Sequence, residues 1–196
     1  VVLERARSLG FLGKGPVAEH AEHALAYAGA HSPAAGLVAD LGTGGGIPAL
    51  PLALVWPETR WTLVDRGDRR TAFLQDAARQ LGLQDRVQVL TADAGRVGHE
   101  AEHRGRYDLV TARSFGPPHE LAECAAALLA PEGVLLVSEP PVQDVSRWPA
   151  AQLEVLGLGP ADVTRHDGVR IARLVKLGDT PAKAPRRTMR GWFPPS

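Results

Sequence analysis

The chain has 196 residues, 44% of them apolar, which is enough for one hydrophobic core and excludes a disordered or fibrous protein. Its 22 basic residues balance 22 acidic ones, so the whole chain lacks the basic excess of a dedicated nucleic-acid domain. A single cysteine, Cys124, excludes a disulfide framework or a cysteine zinc site; the absence of any run of membrane-spanning length points to the cytoplasm.

Residues 1–36 are expected to form an N-terminal helical segment, with Val1 in place of methionine leaving open whether an upstream piece has been removed. His20 and His23 fall at i and i+3 on a helix there, but no third ligand stands at metal-site spacing. A solvated polar face is the reading preferred over a metal site. The stretch Gly10 to Pro16 reads either as a flap over a neighbouring site or as a loose connection.

A domain over 37–178 follows, in which strands and helices alternate. The expected strands are Leu37–Leu41, Trp61–Asp65, Val87–Thr91, Tyr107–Thr111 and Val134–Ser138. Helices are expected over Asp68–Leu81, with Asp68 as N-cap and Gly82 beyond its end, and over His119–Ala130, closed by Pro131 and Gly133. Ala161–His166 and Val169–Leu177 flank Asp167-Gly168, a strong signal for a two-residue hairpin. The expected fold class is α/β: a doubly wound, mostly parallel Rossmann-like sheet closed by an antiparallel C-terminal hairpin.

Within this frame the first strand runs into Asp40-Leu41-Gly42-Thr43-Gly44-Gly45-Gly46, and the second ends in Asp65. A strand, a glycine turn, a helix and a carboxylate-tipped strand form a nucleoside-cofactor site. A dinucleotide fingerprint starting at Gly42 needs glycine at position 47, where Ile47 stands, so NAD is disfavoured. The remaining match is the first motif of S-adenosylmethionine-dependent methyltransferases. In it Gly42, Gly44 and Gly46 let the backbone approach the cofactor, Asp65 accepts from both ribose hydroxyls, and Asp93 accepts from the adenine amino group or caps the next helix. Asp40 holds the loop amides or approaches the amino-acid end of the cofactor.

Three ordered segments narrow the resemblance. Asp40 to Leu54 with Pro48, Pro51 and Leu52, then Arg69-Arg70-Thr71-Ala72-Phe73-Leu74, then Tyr107 to Phe115 resemble the RsmG (GidB) family, which methylates N7 of a guanine in 16S ribosomal RNA of the small subunit. The resemblance implies S-adenosyl-L-methionine as cofactor and ribosomal RNA as partner. Arg113, at the carboxyl edge of the fourth strand, is the substrate-facing candidate, and Phe115 is a core residue or a wall near the methyl group. Where the family carries a lysine-glycine pair this chain has Glu139-Pro140-Pro141. Glu139 is a poor neighbour for phosphate and, with His119, a candidate base for a hydroxyl or amine acceptor. A small-molecule methyltransferase is therefore the alternative, and a non-catalytic RNA-binding or assembly protein the alternative of another class.

The tail, 179–196, contains Lys183, Arg186, Arg187 and Arg190 against Asp179, followed by Trp192 and Phe193. It reads either as an RNA-binding arm or as a solvated, partly disordered extension, with Pro181, Pro185, Pro194 and Pro195 in favour of the latter.

Overall fold

A computed structural model describes residues 1–33, 36–142 and 145–193; Pro194 and Pro195 of the tail lie outside the described residues. Seven strands, β1 (Gly36–Leu41), β2 (Thr59–Asp65), β3 (Val87–Thr91), β4 (Tyr107–Ala112), β5 (Leu129–Glu139), β6 (Asp162–His166) and β7 (Val169–Val175), form one sheet in the order β3-β2-β1-β4-β5-β7-β6. β1 to β5 pair in parallel, and β7 runs antiparallel between β5 and β6. The hairpin turn is as expected, with Asp167 and Gly168 both at positive φ.

Alternation along the strands feeds two cores. Ala39, Leu41, Val110, Ala112, Leu135 and Val137 face one, and Val38, Leu63, Leu109, Val134 and Leu136 face the other. The second core is covered by α1 (Val2–Ser8), α2 (Val17–Ala30), α3 (Ala49–Val55) and α4 (Asp68–Gln80); the first by α5 (Ala94–Val97), α6 (Pro118–Leu128) and α7 (Ala150–Val155). The strand order reverses between β1 and β4, so a crevice opens beyond their carboxyl ends.

Four expectations change. Gly67, with extended backbone, is the N-cap of α4, and Asp68 is its first helical residue, where its charge meets the helix dipole. α6 stops at Leu128 and β5 begins at once; Pro131 and Gly133 belong to an irregularity in which Glu132 takes a positive φ and the β4–β5 register shifts. The histidines do not form a solvated face, since His20 is buried and His23 half-buried. The tail is not a loose extension. Ala184 and Phe193 are buried in the first core, and the Arg186 guanidinium pairs with Glu123, whose side chain is fully buried on α6. α6 is small and apolar on nearly every face, so it needs cover on the side away from the sheet. The tail provides it.

Candidate active site at the carboxyl edge of the sheet

Three cavities meet at Ser114, just past β4, whose φ of 55° is left-handed. The first, about 240 Å³, lies between Gly42, Gly44, Asp65, Arg66 and Arg70 on one side and Asp93, Phe115, Cys124 and Met189 on the other. The second, about 330 Å³, is bounded by Arg113, Phe115, Ser138, Glu139, Arg147 and Trp148. The third, about 300 Å³, separates the glycine turn from Phe11, Leu12 and Gly13. Phe115 lies in the wall shared by the first two.

The turn is shaped by its glycines. Gly42 and Gly44 have φ of 67° and 56° and line the first cavity. A Cβ on Gly45 would come within 2.7 Å of the Phe11 carbonyl oxygen, so the N-terminal segment rests directly on the turn. Gly46 is placed differently from Gly42 and Gly44. It does not line the cavity; a Cβ there would strike Leu50, so its place is the packing of the turn on α3.

Asp65 organises the first cavity. Its Oδ2 accepts from Gly44 N–H at 2.9 Å, and its Oδ1 accepts from Gly67 N–H at 2.9 Å and from Arg70 Nε at 2.8 Å. Asp93 caps α5 by accepting from Arg96 N–H at 3.2 Å, and it lines the same cavity. Asp40 lies beneath the turn, 1% exposed. It takes no loop amide, since Gly42 and Thr43 N–H donate to the Val64 carbonyl. Oδ1 of Asp40 accepts from the Thr111 hydroxyl at 2.6 Å, while Oδ2 has no partner among the described residues. Burial pushes this carboxyl up to about 7.

Arg113 lines the second and third cavities, and its Nη2 donates to His20 Nδ1 at 2.9 Å. Burial pulls His23, at the edge of the second cavity, down to about 4, with the charge of Arg113 adding to the effect. Glu139 is not a bare carboxylate. Oε2 accepts from Arg147 Nε at 2.8 Å and Oε1 from Trp148 Nε1 at 3.1 Å. His119 Nε2 sits 3.0 Å from the Met189 carbonyl and faces the tail.

Tyr27, Met189 and the Arg147-Trp148 pair were not singled out from sequence. The Tyr27 hydroxyl donates to the Ala112 carbonyl at 2.8 Å and accepts from Ser138 N–H at 2.9 Å, tying together the carboxyl ends of β4 and β5. A tyrosine on a helix gives no sign of such a bridge. Met189, the one methionine, sits in a stretch dense in arginine and aromatics, and the apolar all-round pattern of α6 was the usable sign that this stretch folds back.

The GidB family, described as rRNA small subunit methyltransferase G, matches residues 19–140. The chain belongs to that family. Among GidB relatives, the ribosomal RNA small subunit methyltransferase G of Deinococcus radiodurans is 37% identical over 158 residues, covering 76% of this chain and 61% of that protein. The protein of the same name from Roseiflexus castenholzii is 36% identical over 156 residues, covering 75% and 65%. The chain thus spans less than two thirds of the length of these relatives. In fold it resembles an RNA methyltransferase from Salinibacter ruber in complex with S-adenosyl-L-homocysteine (TM-score 0.59, 17% identity, 86% of this chain and 97% of that one). It also resembles the mitomycin 7-O-methyltransferase MmcR (TM-score 0.63, 18% identity, 81% and 54%). The GidB match ends at Pro140, so Arg147, Trp148 and Met189 lie beyond it.

Proposed function

We propose that this chain transfers the methyl group of S-adenosyl-L-methionine to N7 of a guanine in small-subunit ribosomal RNA, in the cytoplasm. The observation that carries the reading is the pair of cavities sharing Phe115, set at the carboxyl edge of a GidB fold. The acceptors around the first cavity fit the cofactor's chemistry. Asp65 and Asp93 face hydroxyl and amino donors, while Asp40, buried beneath the turn and lining none of the three cavities, adds negative charge behind it that suits the cationic amino-acid end. Arg70 occupies part of Asp65, but its side chain is 43% exposed and free to swing aside for a ribose hydroxyl.

The bound cofactor supplies an electrophilic methyl group on a sulfonium. The chain's own task is placement. Asp65 orients the ribose, Phe115 excludes water between the cavities, and Arg113 grips a phosphate or stacks on an extruded base. N7 carries a lone pair and no proton, so attack needs no general base, and orientation supplies up to roughly 7–11 kcal/mol of the barrier reduction. Although the net charge is zero, Arg66 and Arg70 line the first cavity, and exposed Arg187 and Arg190 flank Met189 on its far wall, an arrangement that suits an RNA backbone.

The test is calorimetric titration with S-adenosylmethionine, followed on the same sample by methyl transfer to small-subunit RNA from cells lacking the endogenous guanine-N7 enzyme. Binding with transfer to a guanine N7 supports the reading. Transfer to metabolites and none to RNA would move the chain to small-molecule chemistry, and salt-dependent RNA binding without cofactor binding would make it a non-catalytic RNA protein.

A further inference from the structure

We propose that Glu139 reads the Watson–Crick edge of the acceptor base and selects guanine; this rests on the methyl transfer proposed above. Glu139 ends β5 and lines the second cavity, with its side chain only 4% exposed. Burial of a carboxylate is unfavourable unless its lone pairs are matched, and here Arg147 Nε and Trp148 Nε1 each take one oxygen. A carboxylate has about four acceptor positions. Among the described residues its carboxylate pairs with Arg147 and Trp148, which leaves one position on each oxygen there, beside a cavity lined by Phe115 and Trp148.

Guanine presents N1–H and N2–H side by side, and two carboxylate oxygens accept such a pair together. Adenine presents a lone pair at N1 and is repelled by the same group. With the Watson–Crick edge on Glu139, N7 lies at the opposite edge of the purine and keeps the lone pair that must attack. An arginine clamped on O6 and N7 would consume it.

The charge balance of the reaction gives the carboxylate a second effect. The N7 lone pair forms the new N–C bond while the S–C bonding pair stays with sulfur. The sulfonium becomes a neutral thioether, the purine becomes a cation, and no proton leaves N7. Positive charge thus moves onto the base that Glu139 holds, so their attraction grows between ground and transition state. Glu139 is accordingly a poor phosphate neighbour and a good partner for a base acquiring positive charge. It acts here as a hydrogen-bond acceptor rather than as a base.

The test uses the full chain and small-subunit RNA ligated to carry either guanosine or inosine, which lacks the N2 amine, at the position the wild type methylates. The wild type is expected to prefer guanosine over inosine by about tenfold in kcat/KM, the worth of one charge-assisted hydrogen bond. Glu139→Gln should lower transfer to guanosine by about 10–100-fold and bring the two substrates close to parity. Arg147→Met, which breaks the ion pair but keeps the carboxylate, should retain the preference for guanosine, with thermal unfolding and cofactor titration reporting whether each variant is folded. An unchanged preference in Glu139→Gln, or an equal loss in Arg147→Met, would overturn the inference and leave the methyltransferase reading standing. Failure of the wild type to methylate any guanine would remove both.

Discussion

Arg113 and His20 stand 93 residues apart and settle each other's hydrogen bonding. The guanidinium is only a donor, so Nδ1 of His20 accepts from Nη2 at 2.9 Å, and Nε2 must carry the proton it donates to the Gly13 carbonyl at 3.1 Å. One neutral imidazole thereby links the arginine that lines the second and third cavities to the segment resting on the glycine turn.

Arg113 lines the second and third cavities and not the first. Arg113→Ala should therefore leave S-adenosylmethionine affinity within about threefold by calorimetry while lowering methyl transfer at least tenfold, an effect of about 1.4 kcal/mol or more. A variant that loses cofactor affinity and keeps turnover would reverse the assignment of the two cavities.

Asp65 should behave in the opposite sense. Its carboxylate also fixes Gly44 and Gly67, so Asp65→Ala removes both the acceptor proposed for the cofactor and the support of the turn. Cofactor affinity is expected to fall by about 10–100-fold, the range of one charge-assisted hydrogen bond, and Asp65→Asn, which keeps one oxygen, should lie between.

Asp40 and His23 pull on stability in opposite directions over one pH window. The folded Asp40 carboxyl is raised from 3.8 to about 7, so between those values the folded state binds the extra proton and stability falls as pH rises. The folded His23 is lowered from 6.5 to about 4, so the unfolded state binds the extra proton there and stability rises with pH. In the wild type the two slopes partly cancel. Melting temperatures from pH 4 to 8 should show Asp40→Asn gaining on the wild type as pH rises and His23→Gln gaining on it as pH falls. Parallel curves for all three proteins would sink this account.

The tail carries two separable contributions. Arg186→Ala strands fully buried Glu123 and should destabilise the protein by about 3 kcal/mol, read as a fall in melting temperature. Met189→Ala removes one apolar wall of the first cavity and should raise the cofactor dissociation constant about threefold to tenfold with little change in melting temperature, since roughly 1 kcal/mol of contact is lost. Equal thermal losses in both variants would mean that the tail only stabilises.

Much of the sheet was legible because local signals agreed with one another. Short apolar runs, the glycine turn and the Asp167-Gly168 hairpin each specify backbone geometry within a few residues, and β3 falls on its expected bounds. The walls of the first cavity were legible where they sit in such a motif, as with Asp65, Gly42 and Gly44. They were not where a wall depends on contact between distant segments. Nothing near Glu139 in sequence reveals that Arg147 and Trp148 turn back onto it, and the prolines of the tail hid that a stretch so rich in breakers can still be held down by side chains. Gly46 shows another limit of the sequence, because a glycine packed closely on a helix looks the same there as one that lines a cavity.

Placing Met189 in the cavity wall also sets an order of events during synthesis. Every strand among the described residues precedes residue 180, so a growing chain can complete its sheet while the segment that closes the first cavity is still being made. Until residues 180–193 have been released and Arg186 has reached Glu123, the site stands open along α6. Such a chain is shaped like its finished form yet not equipped to retain a small molecule, which makes the docking of residues 180–193 on α6 the step that completes the cavity.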